Sequence, residues 1–277
     1  MGKHWNRRSK RIYLVVFCCL AFLAGSVLVF AGHKNIEQER ISWERMLTEE
    51  AESAFNHIEQ QISAGIQSCN SVFLSRWYSH FRNVAGVYAA EFEDGLKRME
   101  IISDLNSRCA ALPVVTNIVI ATPALDTVIS RDGWFTLDLW NQVYASTPID
   151  ASGGDTVAPT MQTTDEDTFA IALQDPTSRR DKSAIFLLIS RKEAQALVVE
   201  ALSEQATEVR LLYAGQEVFA YGARVEGNVA RECHATGMNL VLEAAFWSYA
   251  QAGLPSALFA YGILFLALLL GAILLAF

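Results

Sequence analysis

Two uncharged runs of 21 residues, 12–32 and 257–277, constrain this chain more than any other feature. A helix rises about 1.5 Å per residue, so each run covers the roughly 30 Å hydrocarbon core of a bilayer. Lys3, Arg7, Arg8, Lys10 and Arg11 precede the first run, and residues 1–31 hold no acid. A basic flank stays in the cytoplasm, which sends residue 33 onward outside. A cleaved signal peptide is the competing reading. Its apolar region is usually about 7–15 residues and ends at small residues. Here Ala24, Gly25 and Ser26 lie inside the run with more apolar chain behind them, so we read residues 12–32 as an uncleaved anchor. Cys18 and Cys19 fall within it and read as small packing residues.

The second run follows Gly253 and Pro255 and returns to the cytoplasm in this layout. A returning span normally ends in a basic flank. None follows Phe277, so an output half is expected beyond this chain. Charge fits the same plan. Five of the 22 Lys and Arg precede the first run, leaving 17 bases against 30 acids, a net −13 for the rest. Such a surface repels nucleic acid and anionic lipid headgroups, both of which attract bases. The middle holds Cys69, Cys109 and Cys233, too odd and sparse a set for a disulfide framework. At most one bridge fits, and free, mostly buried thiols are the expectation.

Between the runs the apolar period is first helical. Met46, Leu47, Ala51, Ala54, Phe55, Ile58, Ile62, Ile66, Cys69 and Phe73 are spaced mostly by three and four, with Glu and Gln on the other face. A coiled-coil dimer stalk and a long helix packed on its own sheet both fit this pattern. A second helix is expected from about Val84 to Ala111, with Val87, Tyr88, Phe92, Leu96, Met99, Ile102 and Leu105 as its stripe and Pro113 as its stop. The period then becomes that of strands. Asn117–Thr122 and Thr127–Ser130 read as a hairpin, and Asp132-Gly133 as a turn. Trp134–Tyr144 reads as a short helix, and Thr147–Asp167 as a loop. Strands follow at Thr168–Gln174 and Ser183–Ser190, a helix at Arg191–Gln205, and strands at Val209–Tyr213, Glu217–Tyr221, Val229–His234 and Met238–Phe246. The fold class is α+β, with antiparallel sheets and a long N-terminal helix between two transmembrane helices.

This order resembles the double-Cache, PAS-like extracytoplasmic sensors of bacterial signalling proteins. The resemblance rests on Asn117-Ile-Val-Ile-Ala with Asp126-Thr-Val-Ile-Ser-Arg-Asp-Gly133, on Ser183–Ser190 running into Arg191–Glu204, on Val209-Arg-Leu-Leu-Tyr-Ala-Gly-Gln-Glu-Val218, and on the closing Met238–Phe246. It implies a cytoplasmic leader (1–11), a first span (12–32), packing helices (33–112), a membrane-distal module (113–190), a linker helix with a short proximal module (191–252), and a second span (253–277). It further implies a two-pass protein of the bacterial cell membrane, with residues 33–252 extracytoplasmic. Its partners would be membrane lipid, a second copy of the chain in a homodimer, and a small-molecule or peptide ligand outside the cell. The missing output would be an AraC-type DNA-binding domain or, as second choice, a histidine kinase. A membrane-anchored binding module without output is the alternative.

Chemistry-bearing motifs are scarce. HExxH, CxxC and GxSxG do not occur. Cys233 and His234 adjoin on a strand, which points them to opposite faces. Asp165-Glu-Asp167 reads as a solvated acidic loop, and Gly153-Gly154 lacks the strand and Lys-Ser/Thr of a phosphate loop. No catalytic residue, metal ligand or cofactor is expected. The resemblance places a ligand pocket in the segment after the first hairpin, at Arg131, Trp134, Phe135, Trp140 and Tyr144, with Asp175 as a later polar partner. There an Arg would clamp a carboxylate and aromatics would enclose an apolar group. The plainer reading makes the aromatics core and leaves Arg131 solvated.

Overall fold

The computed structural model describes residues 7–84, 95–151, 159–174, 183–252, 262–267 and 270–271. Its organising element is one unbroken helix, α1 (Arg7–Phe73), of 67 residues. At about 1.5 Å per residue it is roughly 100 Å long. Its first part is apolar on every side: Val15, Phe17, Leu20, Phe22, Leu23, Val27, Val29 and Phe30 are all exposed. This part is long and apolar enough to cross a membrane. Beyond it the helix becomes amphipathic. Leu47, Ala51, Ala54, Ile58, Ile62, Cys69 and Val72 are each at most 1% exposed and form a single stripe at the helical period. Met46, one position off that stripe, is exposed. Gly65 lies on the stripe, where a Cβ would come within 2.8 Å of a Leu187 methyl. Glycine therefore lets the helix lie close on the sheet.

After α2 (Arg76–Val84) and α3 (Gly95–Ala110), the chain builds a five-stranded antiparallel sheet in the order β3-β2-β1-β7-β6. Its strands are β1 (Val115–Thr122), β2 (Thr127–Ser130), β3 (Gly133–Phe135), β6 (Thr168–Gln174) and β7 (Ala184–Ser190). The expected hairpin is β1 and β2, paired Ile120 to Ile129 and Thr122 to Thr127. Alternation sorts the sheet's side chains cleanly. Ile118, Ile120, Ile129, Ile185, Leu187 and Ile189 face α1 and α3, while Val119, Ala121, Val128, Ala184, Phe186 and Leu188 face the opposite layer. That layer holds α4 (Leu137–Val143) and the two-residue strands β4 (Ile149–Asp150) and β5 (Thr160–Met161).

Helix α5 (Arg191–Ala201) begins at once after β7, because Ser190 caps it, its Oγ accepting from the Glu193 amide. It leads into a four-stranded antiparallel sheet, β10-β11-β8-β9, made of β8 (Ala206–Tyr213), β9 (Gln216–Gly222), β10 (Val229–His234) and β11 (Leu240–Phe246). Val209, Leu211, Leu240, Leu242 and Phe246 of this sheet join the same core as α1 and the first sheet. The molecule is therefore α+β, with one core strung along α1.

Several expectations need correction. Trp134 and Phe135 lie on strand β3, and the short helix starts only at Leu137, where Thr136 Oγ1 caps it by accepting from the Leu139 amide. The stripe of α3 is Ile101, Leu105 and Cys109, whereas Met99 is 69% exposed. Two helically spaced sets exist there, and packing against β1 and β2 decides between them. Helix α5 ends four residues early because Ser203 turns the chain, its Oγ donating to Glu50 on α1. The segment 147–167 is not wholly loop, since β4 and β5 pair within it. Val87, Tyr88, Phe92, the Gly153-Gly154 pair, Asp175 and most of 257–277 lie outside the described residues. Residues 262–267 are helical, and the Phe265 ring sits against Gly25 of α1, so close that a Cβ there would be 2.0 Å from Cε2.

Candidate functional site

The expected pocket residues divide between the two faces of the first sheet. Phe135, Trp140 and Tyr144 gather on the outer face. Trp140 and Tyr144, one helical turn apart on α4, stack with centroids 4.0 Å apart and an interplanar angle of 20°. Phe135 meets both edge-on, at 5.6 and 5.5 Å. Trp140 is fully buried, and its indole N–H donates to the Thr147 carbonyl at 3.0 Å. Asn141 closes the layer by bonding both backbone groups of Ile149, as a neighbouring strand would. Phe135 and Tyr144 are half-buried, so the group packs on Trp140 and keeps one side toward solvent.

Trp134 takes the other face, because successive strand residues point opposite ways. Its ring packs edge-on against Phe81 at 5.6 Å, and the Arg98 guanidinium lies 5.1 Å above it. Arg131 occupies the turn between β2 and β3. Its Nη1 donates to the Thr116 carbonyl at 2.8 Å, and its Nε lies 3.7 Å from Asp132 Oδ1. Asp132 also accepts from the buried Asn117 Nδ2 at 2.7 Å. Burial first, and then the neighbouring Asp132 carboxylate, hold the Tyr144 hydroxyl above its ordinary pKa. Arg131 opposes that rise, so both charges of the turn bear on the aromatic group. The Arg131 side chain is 40% exposed, so its guanidinium is only partly engaged.

Cys233 and His234 do not share a site. His234 pairs with Glu232 at 2.9 Å on the exposed face, and Cys233 turns inward against the core, as strand alternation requires. Burial first, then Glu52, raises the Cys233 thiol. A thiol held neutral is a poor nucleophile and a poor metal ligand. No three His, Cys, Asp or Glu residues gather to hold a metal among the described residues.

Sequence reading passed over Arg191. Its guanidinium donates to the Thr168 carbonyl of β6 at 3.1 Å and to the Glu217 and Val218 carbonyls of β9, so one side chain ties the two sheets together. Its carbon also lies 5.4 Å from the Phe169 ring centroid. The only hint in the sequence is its place directly after the capping Ser190. No protein-family model matches this chain, and no curated protein matches it.

Proposed function

We propose that this chain is the sensing half of a bacterial two-pass membrane signalling protein of the double-Cache type. It passes binding of an external small molecule or peptide to a cytoplasmic output, an AraC-type DNA-binding domain first or a histidine kinase second. One observation carries the reading: α1 runs without a break from the exposed apolar segment into the core shared by both sheets. A change in either sheet bears on the same rigid rod that would cross the membrane. The far end of the domain is tied to that rod as well. Tyr249 donates to Glu39 at 2.7 Å and the Trp43 indole N–H donates to the Trp247 carbonyl at 3.4 Å, just before the second apolar run. In this reading Phe265 against Gly25 is a contact between spans, of the close kind that glycine permits in membranes.

Topology tests it. In intact cells carrying the full chain, a cysteine in place of the exposed Glu217 is expected to react with a membrane-impermeant maleimide. One in place of Asn6 is expected to react only after permeabilisation. Protection of position 217 in intact cells would overturn the reading.

A further inference from the structure

The outer face of the four-stranded sheet carries a hollow of about 340 Å³. That is within the range of small-molecule sites. Its floor is short side chains, Ala230 paired across the strands with Ala245, and Glu208 stands beside Ala245 on the next strand. Three arginines and three glutamates, Glu208, Arg210, Arg224, Arg231, Glu232 and Glu243, supply its charged lining. Most of these are already engaged. Arg210 bonds Glu217 at 3.1 Å and Glu243 at 3.2 Å. Arg231 turns to α1, where its Nε donates to Thr48 Oγ1 at 2.8 Å. Glu232 faces His234. Glu208 and Arg224 remain, and the side chain of neither forms a hydrogen bond or ion pair among the described residues, although the Glu208 charge is felt by Arg210. They line one hollow, carry opposite charges and do not meet.

We propose that this hollow binds a small zwitterion, a free amino acid or a short peptide, with its carboxylate on Arg224 and its ammonium on Glu208. A guanidinium takes a carboxylate through two parallel N–H donors, and Glu208 accepts from an ammonium. A singly charged molecule would meet only one of these two groups, whereas a dipolar one meets both. The alanine floor leaves room for a short side chain. Arg231 connects the hollow to Thr48 on α1, so occupancy reaches the helix that enters the apolar segment; this consequence rests on the sensing reading above.

The test uses the full chain in detergent, with L-alanine and diglycine as probes and acetate and ethylamine as singly charged controls. Both dipolar probes are expected to raise the melting temperature in a concentration-dependent way, since a ligand that binds only the folded state stabilises it by mass action. Neither control is expected to do so. Arg224→Ala and Glu208→Gln sit on the surface and leave the fold intact, and each is expected to weaken L-alanine binding at least tenfold. No shift with either dipolar probe, or equal shifts in both variants, overturns the site. Transmission is read separately, as cross-linking between Ser26→Cys and Phe265→Cys with Cys18 and Cys19 replaced by alanine. A yield that changes with L-alanine supports the sensing reading. Intact binding with an unchanged yield leaves the site standing and removes that reading.

Discussion

Cys69 has a thiol that burial pushes up to about 12 from an ordinary 9.0, with Cys109 adding to the rise and Arg108 opposing it. Burial likewise raises the Cys109 thiol, and both residues sit in the shared core. The folded chain holds these thiols protonated where the unfolded chain would release the proton. Stability from this source is therefore fully present below pH 9.0 and is lost as pH rises toward about 12. Thermal melts are expected to fall across that window, and less steeply in Cys69→Ala. An equal slope in the variant would show that Cys69 does not titrate in this way. Both buried thiols are expected to resist alkylation until the chain unfolds. The odd, sparse set of cysteines in the middle led to an expectation of free, mostly buried thiols, and Cys69 and Cys109 are free and buried while Cys233 is free and partly buried. Which core holds them was not legible, because Cys69 and Cys109 lie 40 positions apart on different helices.

At the scale of elements, two glycines show how close approach shapes the sheets. Gly222 ends β9 at φ +78°, and a Cβ there would lie 2.0 Å from the Thr207 carbonyl oxygen of β8. An alanine must both adopt a disfavoured backbone and push the strands apart. Gly222→Ala is expected to cost roughly 1–3 kcal/mol, the usual range for forced backbone strain, read as a lower urea midpoint. By contrast, Gly215 turns between β8 and β9 at φ +77° with nothing within 4 Å, so only its backbone conformation matters. The β8–β9 hairpin was legible from Ala214-Gly215-Gln216, because turn chemistry is local. Strand β3 was not legible. Three residues are too short to show a period, and its pairing of Val128 with Phe135 and Ile129 with Trp134 depends on β2 already being in place. That one strand sends Trp134 and Phe135 to opposite faces and divides the expected aromatic pocket.

Over the whole molecule, Arg191 adds a polar tie between the two sheets to the apolar core that they share. Its donors reach β6 on one side and β9 on the other. Hydrogen bonds from a charged group contribute about 1.5–3 kcal/mol each, and this guanidinium is half-buried. Arg191→Ala is expected to lower stability by roughly 2–3 kcal/mol on that scale and to split or broaden the unfolding transition as the sheets come apart. Arg191→Lys keeps the charge but not the fork, and is expected to recover only part of the loss. A single sharp transition with unchanged midpoint in Arg191→Ala would assign the union to the apolar core alone. By itself the sequence determined what is local: the apolar runs, the helical stripe of α1 from Leu47 to Val72, and the alternating strands from Asn117 onward. Those patterns follow from side-chain periodicity along a few turns or pleats. Only the tertiary structure decided which faces meet. Strand β1 pairs with β7, some 70 positions away, and one helix backs both sheets. Glu208 and Arg224 come to line one hollow for the same reason. Packing joins residues by shape and charge across the fold, and nothing in their sequence separation marks them as neighbours.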